Sequence, residues 1–321
     1  MGALGIISPN AIPSPRTIFD EDWWLDAAAP GAWNRIRIER DSTTVGEMVF
    51  HVRRRWGLTY IKMPHLTRTM SPRLIPPAGK VVNRAMDNQT IVLELVRKLP
   101  KYDRLELSLN PGCDSLQGFV HANLAVTHMF TFRSQVGVGP DAMLKQVHAE
   151  TRRIIGKAQR ECEVERGSDL DRFIRLHRQS YGETSRVDYA ILERLFSAAR
   201  EHDQAEIVFA RHQGDADTAA MILIWDRSTL YTWLSARNVA QKYRGASSLL
   251  VFEAMRSASG RGCVLDLDGY VRPEVGAFMM KFGLQPVVRP YVNGSSPLWQ
   301  CYRAATTLLN ANREDRHFRV A

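Results

Sequence analysis

Apolar and polar residues alternate along the segment 33–57, on both sides of a polar stretch at 41–46. Such a period of two is typical of a β-hairpin, whereas a period near 3.6 is typical of an amphipathic helix. Applied to the first half of the chain, the two periods predict helices at 19–30 and 84–100 and further strands at 58–64, 102–112 and 126–133. A proline-rich stretch at 70–80 is predicted to be a loop.

The second half repeats the same kinds of pattern. Helical periodicity covers 141–167, with many exposed cations, and then 170–183 and 188–203, and a series of strands follows at 205–238. After it come a small-residue loop at 241–248, a helix at 249–262 and an apolar strand at 263–269. Because both halves run from helix through hairpin to a long strand, a helix and a last strand, we predict two copies of one mixed α/β unit.

The length of 321 residues fits two domains. We expect a loose tail at 1–16, an N-terminal domain at 17–135 and a C-terminal domain at 141–321. Cations exceed anions by 43 − 34 = 9, which favours an anionic partner such as a nucleotide-bearing cofactor, tRNA or a membrane surface, although a generally basic soluble protein fits equally. No apolar run is long enough to span a bilayer.

The four cysteines, Cys113, Cys162, Cys263 and Cys301, are scattered and form no CxxC pair. Their spacing predicts free thiols in a reducing, cytoplasmic compartment, and it predicts no metal site.

The loop QKYRGASS at 241–248 joins an aromatic-rich strand to a helix. Unpaired N–H groups at a helix start and a nearby guanidinium can hold a phosphate. We therefore predict a site that binds the phosphate groups of a donor substrate. Its residues are Arg244, Gly245, Ala246, Ser247 and Ser248. An ordinary strand-to-helix turn with surface charges is the alternative.

Two carboxylates, Asp266 and Asp268, alternate along the last strand and are expected to face the same side. Two such groups suit a general base for an amine, with Tyr270 as a proton donor to the leaving group. The alternative is a surface ion pair, with Arg261 or Arg272 as partner, beside a packed tyrosine.

Several segments resemble the GNAT superfamily, in its double-domain FemAB-like and BioF2-like branch. The segments are TRRIIGKAQRECEVERG (151–167), LDRFIRLHRQSYGE (170–183), the strand, loop and helix at 230–269, FMMKFGLQPV (278–287), WLDAAAPGAWN (24–34) and MPHLTRTMSP (63–72). The resemblance covers nearly the whole chain. It implies two tandem GNAT-like domains with a cleft between them and transfer of an acyl or aminoacyl group to an amine.

The resemblance also implies roles for single residues. Backbone groups of Ser235 and Ala236, at the end of the aromatic strand, would meet the donor carbonyl, unless this strand end has no role. The acceptor would contact Lys281 and the loop residues Thr67, Arg68 and Thr69.

The resemblance favours an N-acyltransferase whose donor is an acyl thioester, acyl-coenzyme A. Its acceptor would be a small-molecule amine or a cell-envelope precursor in the cleft. One alternative is an aminoacyltransferase that uses aminoacyl-tRNA. The other, left open by the single glycine in the 241–248 loop, is a non-catalytic binding module with a degenerate donor site.

Overall fold

The computed structural model describes residues 16–75, 81–113, 115–135, 137–212, 217–241, 243, 245–269 and 273–306. These residues form two compact units. Unit 1 comprises 29–128 and 290–306, and unit 2 comprises 16–28 and 129–289.

Strands and helices alternate along the chain. The strands are β1 (Trp33–Arg40), β2 (Thr43–Arg55), β3 (Leu58–Lys62), β4 (Arg73–Leu74), β5 (Arg104–Ser108), β6 (Ala125–Arg133), β7 (Cys162–Gly167), β8 (Ala205–His212), β9 (Asp217–Trp225), β10 (Thr229–Arg237), β11 (Val264–Asp266) and β12 (Gln285–Ser295).

The α-helices are α1 (Asp22–Ala28), α2 (Val81–Arg97), α3 (Gln117–His121), α4 (Pro140–Gln146), α5 (Ala149–Glu161), α6 (Leu170–Tyr181), α7 (Tyr189–Glu201), α8 (Gly245–Gly260) and α9 (Pro273–Met280). Short 3-10 turns lie at Ile18–Asp20 and Gly182–Thr184, and residues 297–306 are helical.

In unit 1 the strand order is β1-β2-β3-β5-β12. The predicted hairpin is confirmed, because β1 and β2 pair antiparallel around a loop of Asp41 and Ser42. Strand β3 pairs antiparallel with β2 and parallel with β5. Helices α2 and α3 cover one face of this sheet and bury a core that includes Phe50, Ile61 and Phe119.

In unit 2 the strand order is β6-β11-β10-β9-β8-β7. Strands β7 to β10 pair antiparallel, whereas β10 and β11 pair parallel and are connected through helix α8. Helix α8 is buried along most of its length because it packs on the strands, and its Leu250 and Met255 join a core with Leu223, Leu230 and Leu265. The βαβ arrangement places the end of β10 and the start of α8 close together.

The segment 16–28 is part of unit 2. Its Phe19 and Trp24 are buried and contact Tyr231 and Trp233, with ring centroids 5.0 and 5.2 Å apart. The N–H of Ile18 donates to the Asp226 carboxylate at 3.3 Å. The residues after 289 belong to unit 1. The boundaries expected from the sequence were 17–135 and 141–321. They assign 17–28 to the first domain and the residues after 289 to the second, whereas the structure assigns these segments the other way round.

The single helix predicted at 141–167 is wrong. This stretch forms α4, α5 and the strand β7. Strand β7 pairs with β8, and Glu163 and Arg166 on it form ion pairs with Arg211 and Glu206 on β8. Glutamate and arginine favour a helix locally, but cross-strand pairing stabilises the extended conformation here.

Candidate functional site

Strand β10 has a β-bulge and extends beyond its parallel partner β11. The register of β10 against β9 shifts between Thr232 and Leu234, and the pairing of β10 with β11 stops at Tyr231 and Asp266. A bulge bends a strand and increases its twist. Strand β10 continues to Arg237 beyond the end of β11, and its residues 235–237 line a cavity together with residues of helix α8.

Helix α8 begins earlier than the sequence predicts. It starts at Gly245 rather than residue 249, so Gly245, Ala246, Ser247 and Ser248 form its first turn. The first N–H groups of a helix have no partner within the helix and favour an anion. A Cβ on Gly245 would lie 2.8 Å from the hydroxyl of Tyr243, so the glycine makes room for this ring.

A cavity of about 350 Å³ lies between β9, β10, α6 and α8. Ser235 and Ala236 line it from the end of β10, and Ser247 lines it from α8. The remaining lining is mixed: Ala220, Met221, Leu250, Val251 and Phe278 are apolar, whereas Ser180, Tyr181, Thr184 and Arg237 carry polar groups. Such a cavity is suited to a small acyl group.

A second cavity, of about 810 Å³, lies at the start of α8. It shares Arg237, Ser247 and Phe278 with the first cavity. Its other lining residues are Glu150, Thr151, Ile154, Thr218, Asn238, Val239, Gln241, Tyr243, Ser248 and Lys281. A helix N-terminus with two cationic residues in one polar cavity can bind an anionic group.

Tyr243 forms part of the wall of the larger cavity. Its ring stacks on His212 at 4.1 Å. Burial, together with Cys162 and the Glu161 carboxylate, raises the pKa of Tyr243, so its phenol stays protonated. Tyr243 can therefore donate a hydrogen bond near the start of α8, but it cannot act as a phenolate base.

Asp266 is buried in a network of hydrogen bonds. Its carboxylate accepts from the Thr131 hydroxyl at 2.6 Å, the Arg133 Nε at 2.7 Å and the backbone N–H of Asp268 at 2.8 Å. Among the described residues, the ion-pair partner of Asp266 is Arg133 and not Arg261, and Arg272 lies outside them. Asp266 does not line either cavity.

The expectation that Asp266 and Asp268 share one face of a strand is wrong. Strand β11 ends at Asp266, and Asp268 has a φ of 70° and pairs with Arg289 at 2.5 Å. Gly269 has no open space beside it, since a Cβ there would lie 2.5 Å from the Phe130 carbonyl oxygen. Gly269 allows the chain to approach β6 closely.

The other predicted site residues lie in different places. Lys281 lines the larger cavity of unit 2. Thr67 and Thr69 are buried in unit 1, and Arg68 between them is half-buried. Arg244 and Tyr270 lie outside the described residues.

Some residues of the two cavities were not identified from the sequence. Arg237 and Glu150 line the larger cavity, and Ser180 lines the smaller one, where its hydroxyl accepts from the Arg237 N–H at 2.7 Å. The position of Arg237 directly after Ser235 and Ala236 could have indicated it. Glu150 and Ser180 come from helices distant in sequence, so only the packing brings them to this place.

The comparisons with known proteins agree with this geometry. Residues 144–271 match the family model of the acetyltransferase (GNAT) domain. FemX shares the fold at a TM-score of 0.65 and 14% identity, over 88% of this chain and 94% of FemX. No curated protein matches the sequence.

Two further solved structures share the fold. One is the C-terminal domain (DUF2156) of a putative lysylphosphatidylglycerol synthetase from Agrobacterium fabrum, with a TM-score of 0.55, 12% identity and coverage of 89% of this chain and 91% of that one. The other is a tandem GNAT protein from the clavulanic acid biosynthesis pathway, with a TM-score of 0.53, 11% identity and coverage of 88% and 90%.

The chain thus contains an acetyltransferase (GNAT) domain at 144–271 and is an acyltransferase. Its fold over most of its length is that of FemX and of a tandem GNAT protein. The fold class and the family resemblance predicted from the sequence are confirmed, whereas the BioF2-like assignment stays a prediction.

The described residues contain no group of three or more histidine, cysteine, aspartate or glutamate side chains that could hold a metal ion. In the same part of the chain, every helix is too short or too polar to cross a membrane.

Proposed function

We propose that the chain transfers an acyl group from acyl-coenzyme A to an amine. The observation that carries this proposal is the pair of adjoining cavities, which have Ser235 and Ala236 on one side and Ser247 and Ser248 on the other. The phosphates of the donor would bind at the start of α8, with Arg244 as a further contact. The acyl group would enter the cavity of about 350 Å³.

The reaction would be a direct transfer. The amine nitrogen attacks the thioester carbonyl carbon, the oxygen takes up the charge, and the carbon–sulfur bond then breaks to release the thiolate. A backbone N–H near Ser235 and Ala236 would stabilise the oxyanion. Proximity of the two bound substrates supplies much of the rate enhancement.

A base must remove a proton from the attacking amine. Asp266 and Asp268 were the candidates from the sequence, but their contacts with Arg133 and Arg289 favour a structural role. Among the described residues that line the larger cavity, Glu150 is the one carboxylate. We therefore propose that Glu150 is the base and acts directly or through water. The role of Tyr270 as proton donor to the thiolate stays a prediction.

The acceptor is proposed to be a small-molecule amine or an amine of a cell-envelope precursor. Lys281 supports binding near the donor, since it lines the same cavity as Ser248. The proposed contacts with Thr67, Arg68 and Thr69 have less support, because both threonines are buried.

The test is a turnover assay with acetyl-coenzyme A and a panel of amines. Released coenzyme A is measured by chromatography, because the protein's four free cysteines would react with thiol reagents. Release that depends on the amine, with an acylated amine in the mass spectrum, supports the proposal. Donor binding without turnover over the whole panel would favour a non-catalytic binding module.

Aminoacyl transfer from aminoacyl-tRNA is the second candidate. The formal charge of +9 and the fold shared with FemX favour it. Incubation with charged tRNA and the same amines distinguishes the two donors. Amine-dependent deacylation of tRNA, together with no binding of acetyl-coenzyme A, would overturn the first proposal and support this one.

A further inference from the structure

The loop between β2 and β3 has an unusual residue for its conformation. Arg55 pairs with Leu58, so Trp56 and Gly57 form a two-residue loop, with φ values of 53° and 74°. Such a turn favours asparagine or aspartate followed by glycine, and a bulky residue with positive φ is strained. The other hairpin of unit 1 follows this preference at its first position, where Asp41 has a φ of 48°.

The strained side chain is also exposed. Trp56 is 69% exposed, and the Arg55 guanidinium lies over its ring at 3.9 Å. Arg53 and Arg54 are exposed beside it. Neither the hydrophobic effect nor backbone preference explains a tryptophan in this position, whereas a partner that accepts an indole and several cations would explain it.

A second exposed apolar side chain lies at the same end of unit 1. The helix at 297–306 begins beside β3, because the N–H of Ser296 donates to the Asp103 carbonyl and the N–H of Thr59 donates to the Asp103 carboxylate, each at 2.8 Å. Trp299 packs on Tyr60 at 5.5 Å, and Leu298 is 61% exposed. We call Arg53, Arg54, Arg55, Trp56 and Leu298 the tip patch.

We propose that the tip patch docks unit 1 on the surface of an anionic phospholipid bilayer. Tryptophan is favoured at the membrane–water interface, and arginine is attracted to anionic headgroups. Nucleic acid could also attract arginine and stack on an indole, but an exposed leucine offers it neither charge nor a flat ring. The exposed Leu298 therefore favours lipid. The proposal does not depend on the acyl transfer proposed above.

The first test is co-sedimentation of the full chain with vesicles. The vesicles contain phosphatidylglycerol and phosphatidylcholine, or phosphatidylcholine alone. Binding is expected for the anionic vesicles only and should weaken as salt increases. The pair Arg53→Gln and Arg54→Gln should lower the partition coefficient about 25-fold, or roughly fivefold for each arginine.

A matched control removes the same charge elsewhere. Arg153 and Arg160 are exposed on α5, and the pair Arg153→Gln and Arg160→Gln should keep the parent level of binding. Equal losses in the two double variants would show that net charge alone causes binding, and would overturn the proposal.

The second test separates docking from folding. Because asparagine adopts positive φ readily, Trp56→Asn should raise Tm by a few degrees while vesicle binding falls. The Trp56→Phe variant should still bind vesicles. Brominated lipid should quench the tryptophan fluorescence of the parent but not of this variant, because the variant lacks the indole at position 56. A lower Tm with unchanged vesicle binding for Trp56→Asn would show that Trp56 has a structural role.

The same variants test nucleic acid as the partner. If bulk tRNA binds with the same dependence on Trp56 and Arg53, and anionic vesicles do not bind, the lipid proposal is wrong.

Discussion

Ser247 lies in the first turn of α8 and lines both cavities, so a charge placed there should act on the donor directly. We predict that Ser247→Asp weakens binding of acetyl-coenzyme A at least about tenfold, because the carboxylate repels the donor's phosphates. An acidic residue near a helix start is favourable for the helix, so the fold should be retained. Isothermal titration calorimetry measures the affinity.

Ser259→Asp is the control for this experiment. It adds the same charge to the same helix, but near the opposite end. Its donor affinity should stay at the parent level, although a small loss of stability is expected from the helix dipole. If both variants bind the donor as the parent does, the start of α8 does not hold the phosphates.

Two carboxylates, Asp266 and Glu150, allow a second comparison. Asp266→Asn should lower the free energy of unfolding by about 1–3 kcal/mol, because it disturbs the bonds with Thr131 and Arg133. Glu150→Gln should leave stability unchanged but should reduce kcat by about a hundredfold if Glu150 is the base. Urea unfolding and a pH–rate profile of each variant are the measurements. A large loss of rate in a fully stable Asp266→Asn protein would restore the assignment made from the sequence.

The contact between the end of β11 and strand β6 can be tested in the same way. In Gly269→Ala the new methyl group would meet the Phe130 carbonyl oxygen at 2.5 Å, so the backbone must move. A destabilisation of about 1–3 kcal/mol is expected for such overpacking, measured by urea unfolding. Gly260→Ala, where a Cβ meets nothing within 4 Å, should be neutral or slightly stabilising. Equal stability of the two variants would show that Gly269 has space beside it.

Strand β7 shows why local preference failed for one element. Its sequence, CEVERG, follows α5 without a glycine or proline to end the helix. Pairing with β8 and the ion pair of Arg166 with Glu253 on α8 depend on residues 40 to 90 positions away, which a local pattern does not contain.

Helices α6 and α7 begin at side-chain caps, Asp169 and Asp188, and were predicted within two residues of their starts.

At the scale of the whole molecule, the two units should differ in function. Only the second half of the sequence contains the run 241–248, whereas in the first half the long strand leads to Pro64 and then to a proline-rich loop. Proline has no N–H to offer a phosphate. We therefore expect one molecule of coenzyme A per chain in calorimetry, and none at comparable affinity for Ser247→Asp. Two molecules per chain would mean that unit 1 also binds a donor.

The sequence alone determined the mixed α/β class, most helix and strand positions and the family resemblance, because these depend on local periodicity and on short motifs. It also indicated Ser235, Ala236, Ser247 and Ser248, since the end of a strand and the start of the following helix are adjacent in any βαβ unit. Only the tertiary structure decided that β7 is a strand, that 16–28 packs in unit 2, and that Asp266 pairs with Arg133 rather than facing a cavity. These outcomes depend on contacts between residues distant in sequence, whose free energies outweigh the local preferences of the segments involved.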